Sequence, residues 1–321
     1  MLSWGIIGSG DVVRRKVLPS FKECDASVKG IASRRFSTAR EVADEFNLPT
    51  AYSSVDALLE DPSIDAVYIA TPVSTHAELT ITAAKAGKHV LCEKPMAMSS
   101  AEALDMQQVC REHHVHLEIA YYRRYYPVIV KLKALLEAGK IGEAKRVRVN
   151  CHSPRTMIPG SDWRYDPQTS GGGVLMDIGS HRIDLLVFLF GKIICSTGDI
   201  RSLQQTAVED DCLLHLQFEQ GVEADLSVSW SKENYEDSIL VEGNKGRLWI
   251  EKLNAGILKL ESRTERDEFI LPLTQQTHSD LIGTFEEKIK NSRPESFFQT
   301  DAIQTTLAIE EVYRSNNYFT A

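Results

Sequence analysis

The stretch Trp4-Gly5-Ile6-Ile7-Gly8-Ser9-Gly10-Asp11-Val12-Val13 opens the chain and decides the reading of its fold. A short apolar run, 4–7, meets a glycine turn and then the start of an amphipathic helix. Gly8 and Gly10 match the first two glycines of G-x-G-x-x-G. The first permits a tight turn, and the second lets backbone come close to a pyrophosphate. The N–H groups that follow, on Ser9, Gly10, Asp11 and Val12, sit at the positive end of a helix dipole and suit phosphate. Val13 stands where Gly or Ala is usual, so the helix is expected slightly further from the strand. Alone, G-x-G is an ordinary turn. Here it follows a strand and heads a βα series, which makes it a nucleotide loop.

The series runs through the first 120 residues. Strands are expected at 4–7, 28–32, 50–52, 66–70, 89–92 and 116–120. Helical patterns lie between them at 12–24, 38–46, 55–60, 75–86 and 99–113, the last with Ser99 and Glu102 at capping-box spacing. Strands alternating with helices imply right-handed βαβ units in a parallel sheet, and six strands complete a dinucleotide-binding domain. At the end of the second strand, NAD sites place a carboxylate for the ribose hydroxyls. This chain reads Gly30-Ile31-Ala32-Ser33-Arg34-Arg35. Ser33 and Arg34 suit a 2′-phosphate instead, which selects NADP, with NAD as the alternative.

The second half has another rhythm. After a helix at 127–138, strands are expected at 145–151, 212–219, 222–230, 238–242, 247–251 and 257–261, many of them alternating apolar and polar residues. That is the pattern of an antiparallel sheet with one buried face. Helices at 279–291 and 300–316 close the chain. The expected class is α/β: a Rossmann NADP-binding domain at 1–120, then a substrate-binding and dimerisation domain at 121–321 with a large, mostly antiparallel open sheet. Leu226, Val228 and Trp230 share one side of a strand. Read as an uncovered apolar row, they predict a homodimer or homotetramer.

Composition narrows the classes. Among 321 residues, 43% are hydrophobic and 25% charged, as in ordinary globular proteins. Lys plus Arg total 36 against 45 Asp plus Glu, a net charge of −9, which excludes a general nucleic-acid binder. No apolar run approaches a bilayer span, so no membrane partner is expected. No basic-then-apolar leader opens the chain. The six cysteines are scattered without C-x-x-C pairs and read as reduced thiols of a cytoplasmic protein. His113, His114 and His116 lack ligands at metal spacing; they are expected as solvated surface, and no metal is expected.

Four further stretches carry a resemblance. They are 61–72 (DPSIDAVYIATP) with His76, Glu93-Lys94-Pro95, Arg124-Tyr125-Tyr126-Pro127, and 171–184 (GGGVLMDIGSHRID). Together, in this order, they resemble the glucose–fructose oxidoreductase, inositol dehydrogenase and rhizopine catabolism family, Gfo/Idh/MocA. The resemblance implies an NAD(P)-dependent oxidoreductase of sugars, polyols and related carbinols. It places catalysis on Lys94, Asp177 and His181. The stretch 162–167 (DWRYDP) is similar to a branch that often uses NADP. It suggests Trp163 and Arg164 as substrate contacts, beside Lys94, Asp177 and His181. Thr71, Pro72, His76, Glu93 and Lys94 are candidate cofactor contacts.

The residue chemistry agrees with this assignment. Hydride transfer from a carbinol needs a proton acceptor and stabilisation of charge on oxygen. Asp177 and His181 are four apart, one face of a helical turn. His181 can exchange a proton near neutral pH. Lys94 follows a strand's C-terminal end, where open α/β sheets hold ligands. Alone, D-x-x-x-H is an ordinary surface contact and Lys-Pro a loop; the combination points to a site. Two competing readings share the fold: a cofactor- and sugar-sensing regulator without chemistry, and redox-assisted glycoside cleavage.

Overall fold

The computed structural model describes residues 2–155, 162–291 and 301–318. It divides into two compact units, residues 1–122 with 275–302, and residues 123–274 with 303–321. The division is therefore not a single cut near Tyr121, because a late segment returns to the first unit.

The first unit holds six strands: β1 (Ser3–Ile7), β2 (Ser27–Ala32), β3 (Thr50–Ala51), β4 (Ala66–Ile69), β5 (His89–Cys92) and β6 (Leu117–Ile119). Their order is β3-β2-β1-β4-β5-β6, and every pairing is parallel. This is the doubly wound arrangement of dinucleotide-binding domains. The central strand β4 is buried along its whole length, which is why it reads as a continuous apolar run. Ser99 caps the helix Ser100–Glu112 by accepting from the Glu102 N–H at 3.2 Å. Glu102 reaches back to the Met98 N–H rather than to that of Ser99.

The returning helix Ser279–Asn291 buries Leu281, Ile282 and Phe285. Phe285 lies 5.1 Å from the ring of Trp4 and 4.9 Å from His116, and Glu286 accepts from the Trp4 indole at 2.9 Å. His116 thus departs from the solvated surface expected of it. It is 2% exposed, with Nε2 3.1 Å from Glu118, whose carboxylate also takes Lys288 at 2.8 Å. Only His113 and His114 of that cluster are exposed. The apolar surface of Phe285 arrives from far along the chain, so local sequence gives no sign of it.

The second unit is built on eight strands: β7 (Ala144–His152), β8 (Ile193–Arg201), β9 (Asp211–Phe218), β10 (Glu223–Ser229), β11 (Glu236–Gly243), β12 (Gly246–Ile250), β13 (Ile257–Ser262) and β14 (Arg266–Ile270). The order is β14-β13-β12-β11-β7-β10-β9-β8. All neighbours are antiparallel except β7 and β10, which run parallel with Val149 opposite Leu226. The two strands absent from the sequence expectation, β8 and β14, are the sheet's edges. Edge strands pair on one side and alternate weakly, and β14 is mostly exposed Arg, Asp and Glu. Of the closing helix expected at 300–316, Thr300 lies outside the described residues; the rest appears as Ala302–Ser315.

The apolar row is not open. Leu226, Val228 and Trp230 are 2%, 0% and 2% exposed, covered within the chain itself. The helical segment carrying Gly179 packs against Val228. The opposite face carries the polar row, with cross-strand pairs such as Arg148–Glu242 at 3.1 Å and His215–Asp225 at 2.9 Å. The self-association expectation therefore loses the uncovered apolar row on which it was based.

Candidate active site

In the first unit, β1 ends in the glycine turn. Gly8 has φ of 114°, and a Cβ there would overlap the carbonyl oxygen of Ala70. No other residue type fits this approach of β1 to β4. Gly10 differs: a Cβ would meet nothing within 4 Å. That open space lies beside the helix start, where Val13 and Arg14 donate to the Gly10 carbonyl. The amides of Ser9, Gly10, Asp11 and Val12 adjoin it in sequence, and a loop of this kind at a helix start suits a pyrophosphate. Val13 is fully buried and begins a π-helical turn, Val13–Val17, before the α-helical turn of Leu18–Glu23. Ser33 donates to the Arg35 carbonyl at 2.7 Å, which shapes the β2 turn and leaves Arg34 exposed.

The end of β5 carries Glu93-Lys94-Pro95, with a cis Lys94–Pro95 bond. Glu93 is buried. It accepts from the Tyr68 hydroxyl at 2.8 Å and from the Lys94 N–H at 3.2 Å, and lies 3.3 Å from His278 Nε2. Burial works to raise its carboxyl, but the bond and charge of His278, with Tyr68, hold it below the ordinary carboxylate range. Glu93 thus shapes the loop from beneath, while Lys94 is half-buried above it. Sequence reading missed His278, because it lies more than 180 residues from the motif it supports.

His76 is 1% exposed. Its Nδ1 lies 2.8 Å from the Pro95 carbonyl oxygen and its Nε2 3.0 Å from that of Thr71. A neutral ring donates to one of these, and burial lowers its proton affinity against both bonds. The imidazole therefore ties together two loops that end β4 and β5, and Thr71 and Pro72 remain half-exposed.

In the second unit, the signature 171–184 runs from three non-helical glycines, 171–173, into one helical segment that begins at Val174. Gly171 ends the short helix Pro167–Ser170 in a left-handed conformation. A π-helical turn, Leu175–Gly179, then carries Asp177 and passes directly into the α-helix Ser180–Phe190, which carries His181. Such turns insert one residue into the helical ladder and recur at functional positions. Asp177 is partly exposed, and its carboxylate lies 3.9 Å from the guanidinium of Arg164. Arg164 also pairs with Asp162 at 3.0 Å and stacks 4.8 Å above the Trp163 ring. Trp163 is 41% exposed, so it is a surface plate rather than a core aromatic. The first turn of the helix is tied to β11 by a buried pair, Arg182 with Asp237 at 2.5 Å.

Among the described residues no group of three His, Cys, Asp or Glu side chains could hold a metal, and no helix is long and apolar enough to cross a membrane.

Comparison with known proteins adds the following. Residues 2–121 match the Gfo/Idh/MocA oxidoreductase family, NAD-binding Rossmann fold, and residues 129–249 match the Gfo/Idh/MocA C-terminal domain. The chain is 32% identical to mouse trans-1,2-dihydrobenzene-1,2-diol dehydrogenase, over 88% of this chain and 84% of that protein. It is 36% identical to D-xylose 1-dehydrogenase (NADP(+)) 2 of Haloferax volcanii, over 62% of each. The crystal structure of the aldose-aldose oxidoreductase from Caulobacter crescentus, complexed with glycerol, matches with a TM-score of 0.88 and 25% identity. That match covers 98% of this chain and 97% of the other.

Proposed function

The chain belongs to the Gfo/Idh/MocA family of NAD(P)-dependent oxidoreductases, and on that premise we propose that it moves a hydride between NADP(H) and a sugar, a polyol or a dihydrodiol. The observation that carries the substrate class is the group formed by Asp177, Arg164 and Trp163. A carboxylate and a guanidinium beside an exposed indole offer acceptors, donors and a flat apolar plate to a polyhydroxylated ring. The substrates named for the relatives are of this kind.

The roles follow from chemistry. The nicotinamide supplies the two-electron acceptor or donor. The first unit binds it through Gly8, Ser9, Gly10, Asp11 and Val12, with Thr71, Pro72, Glu93 and Lys94 at the ends of β4 and β5. His76 is assigned a supporting part, through the Thr71 and Pro95 carbonyls. Ser33 and Arg34 select the 2′-phosphate. Lys94 stabilises charge on the reacting oxygen with its ammonium. His181 takes the hydroxyl proton in oxidation and returns it in reduction. Asp177 orients the imidazole or a substrate hydroxyl. Trp163 and Arg164 hold the remainder of the substrate.

We further propose self-association as a homodimer or a pair of dimers through the polar face of the eight-stranded sheet. Ion pairs of both signs surround Leu213 and Trp249 there, and a two-fold contact can match such a face to itself. The six free thiols support a reducing, cytoplasmic setting. No nucleic-acid or membrane partner is proposed.

The test is a screen of aldoses, ketoses, polyols and trans-dihydrodiols for absorbance change at the nicotinamide band with NADP(H). Turnover of one class supports the reading. Tight NADP binding with no turnover would favour a sensor. Cleavage of a glycoside without net cofactor change would favour redox-assisted hydrolysis.

A further inference from the structure

Glu209 lies between β8 and β9 and is completely buried. Its carboxylate accepts from the Gly173 N–H at 2.8 Å and the Leu175 N–H at 3.0 Å. Its own carbonyl accepts from the intervening Val174 N–H at 2.9 Å. Three consecutive amides at the start of the segment bearing Asp177 and His181 thus end on one residue. Tyr313 donates to the same carboxylate at 2.8 Å, and the Tyr318 hydroxyl accepts from the Glu209 N–H at 2.7 Å. The two phenol rings stack at 4.8 Å.

The glycine run is shaped around this group. A Cβ at Gly173 would overlap the Glu209 carbonyl oxygen, and one at Gly172, whose φ is 149°, would overlap the Tyr313 hydroxyl. Two of the three glycines in the run 171–173 are therefore clearances for Glu209 and its tyrosine. Burial pushes the Glu209 carboxyl up, despite the bonds from Tyr313, Leu175, Tyr318 and Gly173. An enclosed carboxylate is a costly way to end a helix, where a serine or threonine would serve.

We propose that Glu209, backed by Tyr313 and Tyr318, is the positioning residue of the active site, fixing the start of the helical segment and through it the placement of Asp177 and His181. This rests on the catalytic use of those two residues proposed above. Nothing in 204–211 reads as a motif on its own, so the role emerges only from the contacts.

The test compares Glu209→Gln and Tyr313→Phe with Leu260→Ala, a core truncation in β13 chosen to lower stability elsewhere. Glutamine keeps the shape but turns an NH2 toward a backbone N–H. Amide exchange across 173–181 should quicken by about tenfold or more in Glu209→Gln, and by less in Tyr313→Phe. The His181 imidazole titration, followed by NMR, should move in both, and NADP affinity should hold. With a substrate in hand, kcat should fall while KM stays. If exchange and the His181 titration match the Leu260→Ala control, Glu209 is only structural and the proposal is overturned. If Glu209→Gln does not fold, Tyr313→Phe decides by the same two readings. Neither reading needs turnover, so a failed substrate screen would count against the proposed activity and leave this result separate.

Discussion

Arg124 donates to both oxygens of Asp184, from Nε at 2.8 Å and from Nη2 at 2.5 Å, and both side chains are buried. Arg124 opens the R-Y-Y-P stretch and Asp184 closes the glycine signature, so two motifs 60 residues apart are the halves of one fork-to-fork ion pair. Arginine suits this geometry because its planar donors meet a carboxylate edge to edge. Removing one partner takes from the other buried charge its bidentate mate. Arg124→Ala or Asp184→Ala should lower unfolding stability by about 3–5 kcal/mol, read from denaturant midpoints. Replacing both by apolar residues of similar volume should recover much of that loss. Equal stability of the single variants and the parent would contradict this account.

Cofactor selection should reside in Arg34. The side chain is exposed at the β2 turn, and no carboxylate stands beside it in sequence. A charge-assisted contact to a 2′-phosphate is worth roughly 1.5–3 kcal/mol, or about 10- to 150-fold. Titration of NADP and NAD should show that margin in the parent, and Arg34→Ala should erase most of it. Ser33→Ala should do less to affinity directly, but should loosen the turn through loss of its bond to the Arg35 carbonyl.

For catalysis, His181→Ala and Lys94→Ala should each lower kcat by about 10²–10⁴, the usual cost of removing a positioned proton-transfer or charge-stabilising group. NADP affinity should stay near the parent value in His181→Ala and, because Lys94 is not assigned to the phosphates, fall only slightly in Lys94→Ala. Asp177→Asn should keep part of the activity, because the amide preserves shape and loses charge. Steady-state kinetics beside a cofactor titration reads all three. Parent-like turnover in both alanine variants would sink the assignment.

Acid stability carries a definite sign. Burial first, then the nearby His116, brings His89 down to about 4 from its ordinary 6.5. The folded protein thus disfavours a proton that the unfolded chain accepts. Above pH 6.5 both states leave the ring neutral. As pH falls from about 6.5 toward 4, only the unfolded state gains the proton, and stability is lost. Buried His76 adds the same trend. Melting temperatures at pH 7 and 5.5 should therefore differ, and the difference should shrink in His89→Asn, whose side-chain oxygen can still accept from the His116 N–H. An unchanged difference would refute the role of His89.

The parts of this molecule written locally were legible in the sequence. Period-two and helical patterns gave the strands of the parallel sheet, the inner strands of the second sheet and many of the helices, because each residue's burial there is set by its immediate neighbours. The glycine at position 8 was legible for a similar reason: its turn follows directly from the strand before it. Residues whose meaning depends on distant partners were not. His116 looked like surface until Phe285 covered it, and Glu209 and His278 carry no motif of their own. Trp230 showed the limit of periodicity, which tells which side of a strand is apolar but not whether the chain itself covers that side. The edge strands β8 and β14 were silent because half their backbone has no neighbour to enforce a pattern.

The return of residues 275–302 to the first unit has a consequence for synthesis. The nucleotide-binding half cannot close its own core when its sixth strand has been made. Trp4, Phe21 and His116 wait for Phe285 and its helix, about 160 residues after the sixth strand. At the ~5–20 residues per second of translation, that gap is on the order of ten seconds or more. During it an apolar seam stays open on a nearly complete sheet. A fragment ending at Tyr121 would carry the same seam permanently, so shortening this protein to a minimal cofactor-binding piece means splicing the late helix back on, not simply stopping early.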